Sequence, residues 1–280
     1  MSAGSNSKLA EGYGSSDLAL SRRLERAEGK ACAQFAGARR RLFENSGAEW
    51  IEHNGAYAVF DGVDSPVTQS FGLGLFADLT PESLEVIEGF FIDHGTAAVH
   101  EVSPFAGVAT LELLCRRNYR PIELSSVLYQ PIEQPTACQS GPIRVRVVGP
   151  EEAELWTQIN AQGWAHEHPE FREFLLQVGT ISSSRANTLC FLAELEGKPG
   201  AAGALCLHDG VALFAGAATI PELRRRGLQT ALLHERMRYA FEQGCDLAMM
   251  VAEVGSSSQR NAERKGFRVA YTRTKWRLCS

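Results

Sequence analysis

Residues 217–233 read AATIPELRRRGLQTALL. A run of small residues ending in Ala217, Ala218 and Thr219 meets Pro221, three consecutive arginines (Arg224, Arg225 and Arg226), Gly227 and a helix-forming segment. A strand that ends near Thr219 and turns through the arginines into a helix leaves the first helical N–H groups without internal partners. Those donors sit at the positive end of the helix dipole and favour an anion. Gly227 lets the backbone approach a phosphate closely, and the arginines add charge and forked donors. The stretch suits a diphosphate; taken without its context, three arginines would equally describe a basic, solvated helix start.

The residues that follow supply the context. Leu233, Met237, Ala240 and Phe241 recur at helical spacing, with Glu235, Arg236, Arg238 and Glu242 mostly off that stripe, which predicts an amphipathic helix stopped by Gly244. Leu247 to Val251 form a short apolar run, the signature of a buried strand parallel to the one before the loop. SSSQRNAERKGF comes next, with Ser256, Ser257 or Ser258 as N-cap of a short helix and Gly266 as its end, before Phe267 opens the last strands.

In this order of elements, the loop resembles motif A, (R/Q)xxGx(G/A), of the GNAT superfamily of acetyl-CoA-dependent acetyltransferases. Arg224 and Gly227 fall on its first two defining positions, while Gln229 stands where the pattern has a small residue. The serine-led helix resembles motif B of the same superfamily. The resemblance spans roughly Ile143 to Leu278 and implies acetyl-CoA as acyl donor. By that resemblance, the backbone of Ala217, Ala218 and Thr219 pairs with the pantetheine arm as if it were an added strand. Arg224, Arg225, Arg226, Gly227, Leu228, Gln229 and Thr230 hold the diphosphate. Ser258 and Asn261 contact the pantetheine or the adenosine-side phosphate, or else cap and satisfy the second helix.

Composition narrows the classes. The chain has 280 residues, 44% hydrophobic and 22% charged, with a formal net charge of −5; that is an ordinary globular balance with room for two modest domains. The acidic balance lacks the broad basic footprint of a nucleic-acid binder, so the arginine run is local. No apolar stretch is long enough to span a bilayer and the N-terminus has no signal-peptide core, so neither nucleic acid nor membrane is an expected partner and the expected location is the cytoplasm. Seven scattered cysteines without CxxC spacing read as reduced thiols. His166 and His168 have no cysteine in helical reach, so no metal site is expected.

Along the chain, residues 1–16 are Gly/Ser-rich and expected to be disordered. Asp17 can cap a long helix carrying Leu20, Leu24, Ala27, Ala31, Phe35, Ala38 and Leu42 at helical spacing, with Gly29 as a weak point. Asn54-Gly55 predicts a hairpin, followed by a strand over 68–76 containing Gly72 and Gly74, a helix over 81–94, a strand over 97–101, a helix over 105–117 and strand segments over 120–130. Residues 131–142, rich in Pro, Ser and Gly, mark a linker. The second half repeats the order: a strand from Ile143, helices over 150–162 and 169–178, and strands over 188–195, 201–207 and 211–219, the last two joined by Asp209-Gly210. CRRNYRPIELSSVLYQ from Cys115 parallels ERKGFRVAYTRTKWRL from Glu263. The expected fold is α/β with a mixed sheet, as two tandem GNAT-like acyl-CoA N-acyltransferase domains, a degenerate one over 17–130 and an acetyltransferase domain over 143–280. The first is called degenerate because FGLGLFADLTPESLEV has no arginine and places Glu82 and Glu85 where a phosphate would sit.

For chemistry, acetyl transfer to an amine needs a base, an acid for the leaving thiolate and close positioning. The tyrosine that serves as acid in many GNAT enzymes, four residues before the motif B glycine, is here Ala262. Tyr271 could substitute or be a packed strand aromatic, and Glu253, just past a central strand, could be the base or a solvated carboxylate. Trp164, His166, Glu167, His168 and Phe171 could wall the acceptor pocket or simply connect two helices. The leading expectation is direct acetyl transfer to the amine of a small molecule or peptide in a ternary complex; the alternative is a non-catalytic acyl-CoA-binding or regulatory protein.

Overall fold

The computed structural model describes residues 17–134, 141–165 and 172–279. The expected disorder of 1–16 and the candidates His166, Glu167, His168 and Phe171 lie outside the described residues. Contacts group the chain into two compact units that do not follow the order of the repeats. The first comprises 1–29, 51–131 and 251–280; the second comprises 30–50 and 132–250.

The chain enters through α1 (Leu18–Leu42), whose start is fixed by Asp17 Oδ1 accepting from Leu20 N at 2.8 Å. Leu24 and Ala27 are buried in the first unit, and Ala31, Phe35 and Ala38 are buried in the second, as the periodicity predicts, while Leu42 is exposed. Gly29 is no weak point: a Cβ there would lie 2.9 Å from the Tyr57 ring, so the glycine is what allows helix and strand to close.

In the first unit, β1 (Glu49–His53) and β2 (Ala56–Phe60) meet at Asn54 and Gly55, with φ 51° and 79°, as a two-residue hairpin of mirror-image turn type requires. The strand expected over 68–76 is shorter: β3 is Gln69–Phe71, and Gly72 and Gly74, at φ 79° and 72°, turn the chain out of it. Two left-handed residues so close cannot continue a strand, and a Cβ on Gly74 would meet Thr110 Oγ1 at 2.5 Å. Then come α2 (Pro81–Asp93), β4 (Val99–Val102), α3 (Gly107–Arg116), β5 (Tyr119–Pro131) and, from the end of the chain, α7 (Ser257–Arg264) and β11 (Arg268–Leu278). The strand order is β1–β2–β3–β4–β11–β5. The two segments that parallel each other in sequence are therefore neighbours, β11 running antiparallel to β5 from Arg268 opposite Tyr129 to Leu278 opposite Tyr119. β3 and β4 are parallel, paired through Ser70 and His100. The core packs Phe60, Leu73, Leu84, Ile87, Phe91, Leu113 and Leu114 with Trp276 of β11.

The second unit holds β6 (Ile143–Val147), α4 (Ala153–Ala165), α5 (Arg172–Ser183), β7 (Thr188–Leu195), β8 (Lys198–His208), β9 (Val211–Thr219), α6 (Leu228–Glu242) and the first part of β10 (Leu247–Glu253). Its order is β10–β9–β8–β7–β6, antiparallel except for the parallel pair of β9 and β10. Asp209-Gly210 turns β8 into β9 as expected, and Glu196-Gly197, at φ 53° and 78°, forms a second such turn between β7 and β8. The stripe expected on α6 is displaced: Leu228, Leu232, Arg236 and Ala240 are buried, whereas Phe241 is exposed. Arg236, assigned by periodicity to the solvent side, is the largest departure.

Candidate functional site

In the second unit the predicted loop is built in the expected order. β9 ends at Thr219, a single turn of 3-10 helix spans Pro221–Leu223, and α6 begins at Leu228 with Gly227 as its N-cap, at φ 90° and ψ −4°. No side chain caps this helix start and its first turn contains no acidic residue. Gly227 O accepts the first helical bond from Ala231 N at 3.0 Å, so the N–H groups of Leu228, Gln229 and Thr230 point out of the helix start. Together with the helix dipole they make this end of α6 electropositive.

The arginines do not share one role. Arg224 turns back, donating Nε to Thr219 O at 3.3 Å and Nη2 to Gly163 O at 3.0 Å, whereas Arg225, at φ 61°, and Arg226 are exposed. Gln229 donates Nε2 to Thr219 Oγ1 at 2.7 Å, so the side chain that replaces a small residue folds onto the strand end.

Two features set this region. Arg236 of α6 is fully buried beneath the sheet and donates to Leu232 O at 3.2 Å and Ala204 O at 3.0 Å, its guanidinium lying 4.9 Å from the Phe214 ring centre. Gly203 makes the space, since a Cβ there would stand 3.1 Å from the guanidinium carbon. Burial pulls its pKa down to about 10, which still leaves a cation at neutral pH that ties α6 to β8. The second is α4, which presents Trp156, Ile159, Asn160 and Gly163 to the sheet at i, i+3, i+4 and i+7. Trp156 Nε1 bonds Phe191 O at 3.1 Å, and Asn160 Nδ2 donates to Gly216 O. The sequence carried a signal for Asn160, a polar residue on an otherwise apolar stripe, but no motif marks it.

The first unit offers a contrast at the same place in its repeat. α2 is capped by Thr80, whose side chain accepts from Ser83 N, and Pro81 and Glu82 occupy its first turn. A capped and acidic helix start has nothing to offer a phosphate. The loop after β3 is also covered by α1: Arg22 Nε donates to Leu75 O at 2.6 Å and Arg26 lies 4.3 Å from the Phe76 ring centre; α1 also reaches the residue after β4, Ser21 Oγ meeting Ser103 Oγ at 2.8 Å.

The remaining candidates, Trp164 apart, belong to the first unit. Glu253, the last residue of β10, is exposed. Ser256, not Ser258, caps α7 by accepting from Gln259 N at 3.1 Å; Ser258 and Asn261 are exposed, and Asn261 Oδ1 accepts from Arg264. Ala262, on α7, is buried. Tyr271 is buried, donates its hydroxyl to Glu25 Oε1 at 2.9 Å and stands edge-on to Phe105. Burial, with the nearby Glu25 carboxylate, pushes its phenol well above the ordinary tyrosine range. The structure thus brings together residues 217–230 in one unit and places Glu253, Ser258, Asn261 and Tyr271 in the other. Trp164, at the end of α4, is half exposed. Among the described residues no group of three or more His, Cys, Asp or Glu side chains is arranged to hold a metal, and no helix is long and apolar enough to cross a membrane.

A parallel strand–helix–strand crossover in each unit places the chain among α/β proteins built from two like domains. Residues 152–267 match the family model described as the acetyltransferase (GNAT) family. A GCN5-related N-acetyltransferase from Kribbella flavida is similar in structure, with a TM-score of 0.61, 18% identity, and coverage of 89% of this chain and 96% of that one. Another, from Sphaerobacter thermophilus, has a TM-score of 0.52 at 16% identity, covering 93% of each chain. A tandem GNAT protein from the clavulanic acid biosynthesis pathway has a TM-score of 0.52 at 11% identity, covering 80% of this chain and 83% of that one. At these identities the likeness is one of fold. No curated protein matches in sequence. Residues 152–267 thus carry a GNAT acetyltransferase domain, and the chain as a whole has the fold of GNAT proteins, a tandem one among them.

Proposed function

We propose that the protein transfers an acetyl group from acetyl-CoA directly to the amine of a small molecule or peptide. The observation that supports this most is the uncapped, glycine-led start of α6 directly after β9, set beside the Thr80-capped, acidic start of α2. In this reading the N–H groups of 228–230, with Arg225 and Arg226, hold the diphosphate, and the backbone of Ala217–Thr219 lies along the pantetheine arm. Pairing between β9 and β10 covers Val211–Leu213 against Leu247–Met249, and beyond it β9 continues paired with β8 up to Thr219. Ser258 and Asn261 on α7 are the further cofactor contacts. The sequence division into 17–130 and 143–280 expresses kinship between two repeats, of which the first has lost its cofactor site.

Glu253 is the proposed base. It takes the proton from the attacking ammonium, directly or through water, so that a neutral amine reaches the thioester. Tyr271, whose hydroxyl is committed to Glu25 in the core, is assigned to that network, and the CoA thiolate expelled when the tetrahedral adduct collapses takes its proton from solvent. Glu253→Gln is expected to lower turnover at least about tenfold with acetyl-CoA affinity unchanged; equal turnover in the variant would remove Glu253 from the mechanism.

Calorimetric titration with acetyl-CoA tests the whole reading. One site per chain is expected, together with CoA release that depends on an added amine. Two sites would mean that the first unit retains a working cradle, and no binding would end the proposal. Neither nucleic acid nor membrane is a proposed partner, and the proposed location is the cytoplasm.

A further inference from the structure

We infer that Asn160 is a positioning residue that fixes the end of β9, with Arg224 as its outer brace; the inference rests on the reading that this strand end and loop bind acetyl-CoA. The register between β8 and β9 carries the argument. Ala202 pairs with Ala218 and Ala204 with Ala215, so Gly203 on β8 faces two residues, Gly216 and Ala217, on β9. This is a β-bulge, and Gly216 adopts the left-handed conformation, φ 56°, that lets the extra residue fit. A bulge bends its strand and re-aims the residues that follow it, here Ala217, Ala218 and Thr219. It also takes a backbone carbonyl out of the ladder, and a buried carbonyl without a donor is costly.

Asn160 meets that need. Its side chain is 6% exposed, and its amide Nδ2 donates to Gly216 O. One turn further along the same face of α4, Gly163 abuts the strand directly: a Cβ there would lie 2.6 Å from Ala218 Cβ and 3.0 Å from Thr219 N. Arg224 closes the arrangement by donating to both Gly163 O and Thr219 O. The bulge, the two residues after it and the helix above are thus tied at three points, and the outermost tie starts three residues before Gly227 in the phosphate loop. The strand end that would carry the acyl arm and the loop that would carry the diphosphate share one clamp. Asn160 acts on the first of these, because its bond ends at Gly216 and reaches no loop residue.

The proposal predicts a selective loss. In Asn160→Ala, acetyl-CoA affinity falls on the order of tenfold, because the strand end loses its fixed edge, while the affinity for adenosine 3′-phosphate 5′-diphosphate, which has no pantetheine arm to lie along that strand end, stays within about twofold. Turnover at saturating acetyl-CoA falls as well. Calorimetry with both ligands, on wild-type and variant chains, reads this directly. Equal losses for both ligands, or no loss for either, would overturn the inference. Should Asn160→Ala fail to fold, Arg224→Gln, at an exposed position, tests the same clamp and is expected to weaken acetyl-CoA more than the nucleotide; an unchanged ratio would overturn it. A wild-type chain that binds neither ligand would refute the cofactor reading itself, and the wild-type titrations separate that result from failure of the clamp alone.

Discussion

Gly227→Glu is expected to abolish acetyl-CoA binding, with affinity falling at least about a hundredfold, while the circular dichroism spectrum stays that of the wild type. Gly227 is the N-cap of α6 at φ 90°, a conformation that costs an L-residue roughly 1–2 kcal/mol. A Cβ would approach Ile143 Cδ1 at 3.3 Å, tight enough that the isoleucine must shift slightly. Neither penalty should unfold a chain of this size. The carboxylate, however, would stand at the same N–H groups that the diphosphate needs and repel it. Gly227→Ala separates the effects, since it carries the strain without the charge and should retain binding within about tenfold. Unchanged affinity in the glutamate variant would remove the loop from the cofactor site.

The second large effect is one of stability. Arg273→Met is expected to lower unfolding free energy by about 3–5 kcal/mol and the melting temperature by roughly 10 °C or more. Arg273, buried on β11, donates from Nη1 and Nη2 to Glu28 at 2.6 and 2.9 Å, from Nη1 to Glu25 at 3.2 Å and from Nε to Ser125 at 3.1 Å. Glu101 Oε2 lies 3.0 Å from Nε, an ion pair without the alignment of a hydrogen bond. Lys275 reaches Glu101 at 3.4 Å and Glu123 at 2.8 Å. Removing the guanidinium leaves Glu25 and Glu28 on α1 and Glu101 on β4 without their shared cation.

That cluster also predicts a dependence on pH. Burial, only partly offset by Arg273, raises the Glu25 pKa from 4.5 to about 7. The folded chain therefore holds a proton that the unfolded chain releases between those values. Its contribution is full below pH 4.5 and is lost as pH rises through about 7. Without Arg273 the carboxyl is harder still to ionise, so Arg273→Met should be more damaging at pH 8 than at pH 6.5, and adding Glu25→Gln should recover part of the loss at pH 8. Melting curves at the two pH values decide it, and an equal loss at both would refute the account. His100 runs the other way, since burial lowers its pKa from 6.5 to about 3 and its contribution is lost as pH falls through that range. His208, lowered by burial from 6.5 to about 4, behaves alike, and because both histidines are present in variant and wild type they cancel in the comparison.

What the sequence made legible was local. The turns at Asn54-Gly55 and Asp209-Gly210, the Asp17 cap and the strand–loop–helix around Gly227 each depend on residues within one turn or hairpin, and each formed as predicted. What it concealed depends on partners distant in sequence. Arg236 is buried because Gly203, 33 positions earlier, leaves room for it and Ala204 offers a carbonyl, neither of which appears in the helix's own pattern. Asn160 has meaning only once β9 bulges at Gly216. Likewise, the likeness of 115–130 to 263–278 reported kinship between two strands without revealing that they would pair with each other.

β11 lies between β4 and β5, and the chain passes from one unit to the other at 29/30, 50/51, 131/132 and 250/251. A ribosome that has released residues 1–131 has therefore made a sheet with an inner strand missing, and Trp276, part of that unit's core, follows 145 residues later. The earlier half must wait, partly formed and with unpaired strand edges exposed, until Arg268–Leu278 have been made. Cutting the gene between the repeats would yield two fragments, each carrying a segment that belongs to the other's unit. The first unit is complete only when 17–29, 51–131 and 251–279 are present together.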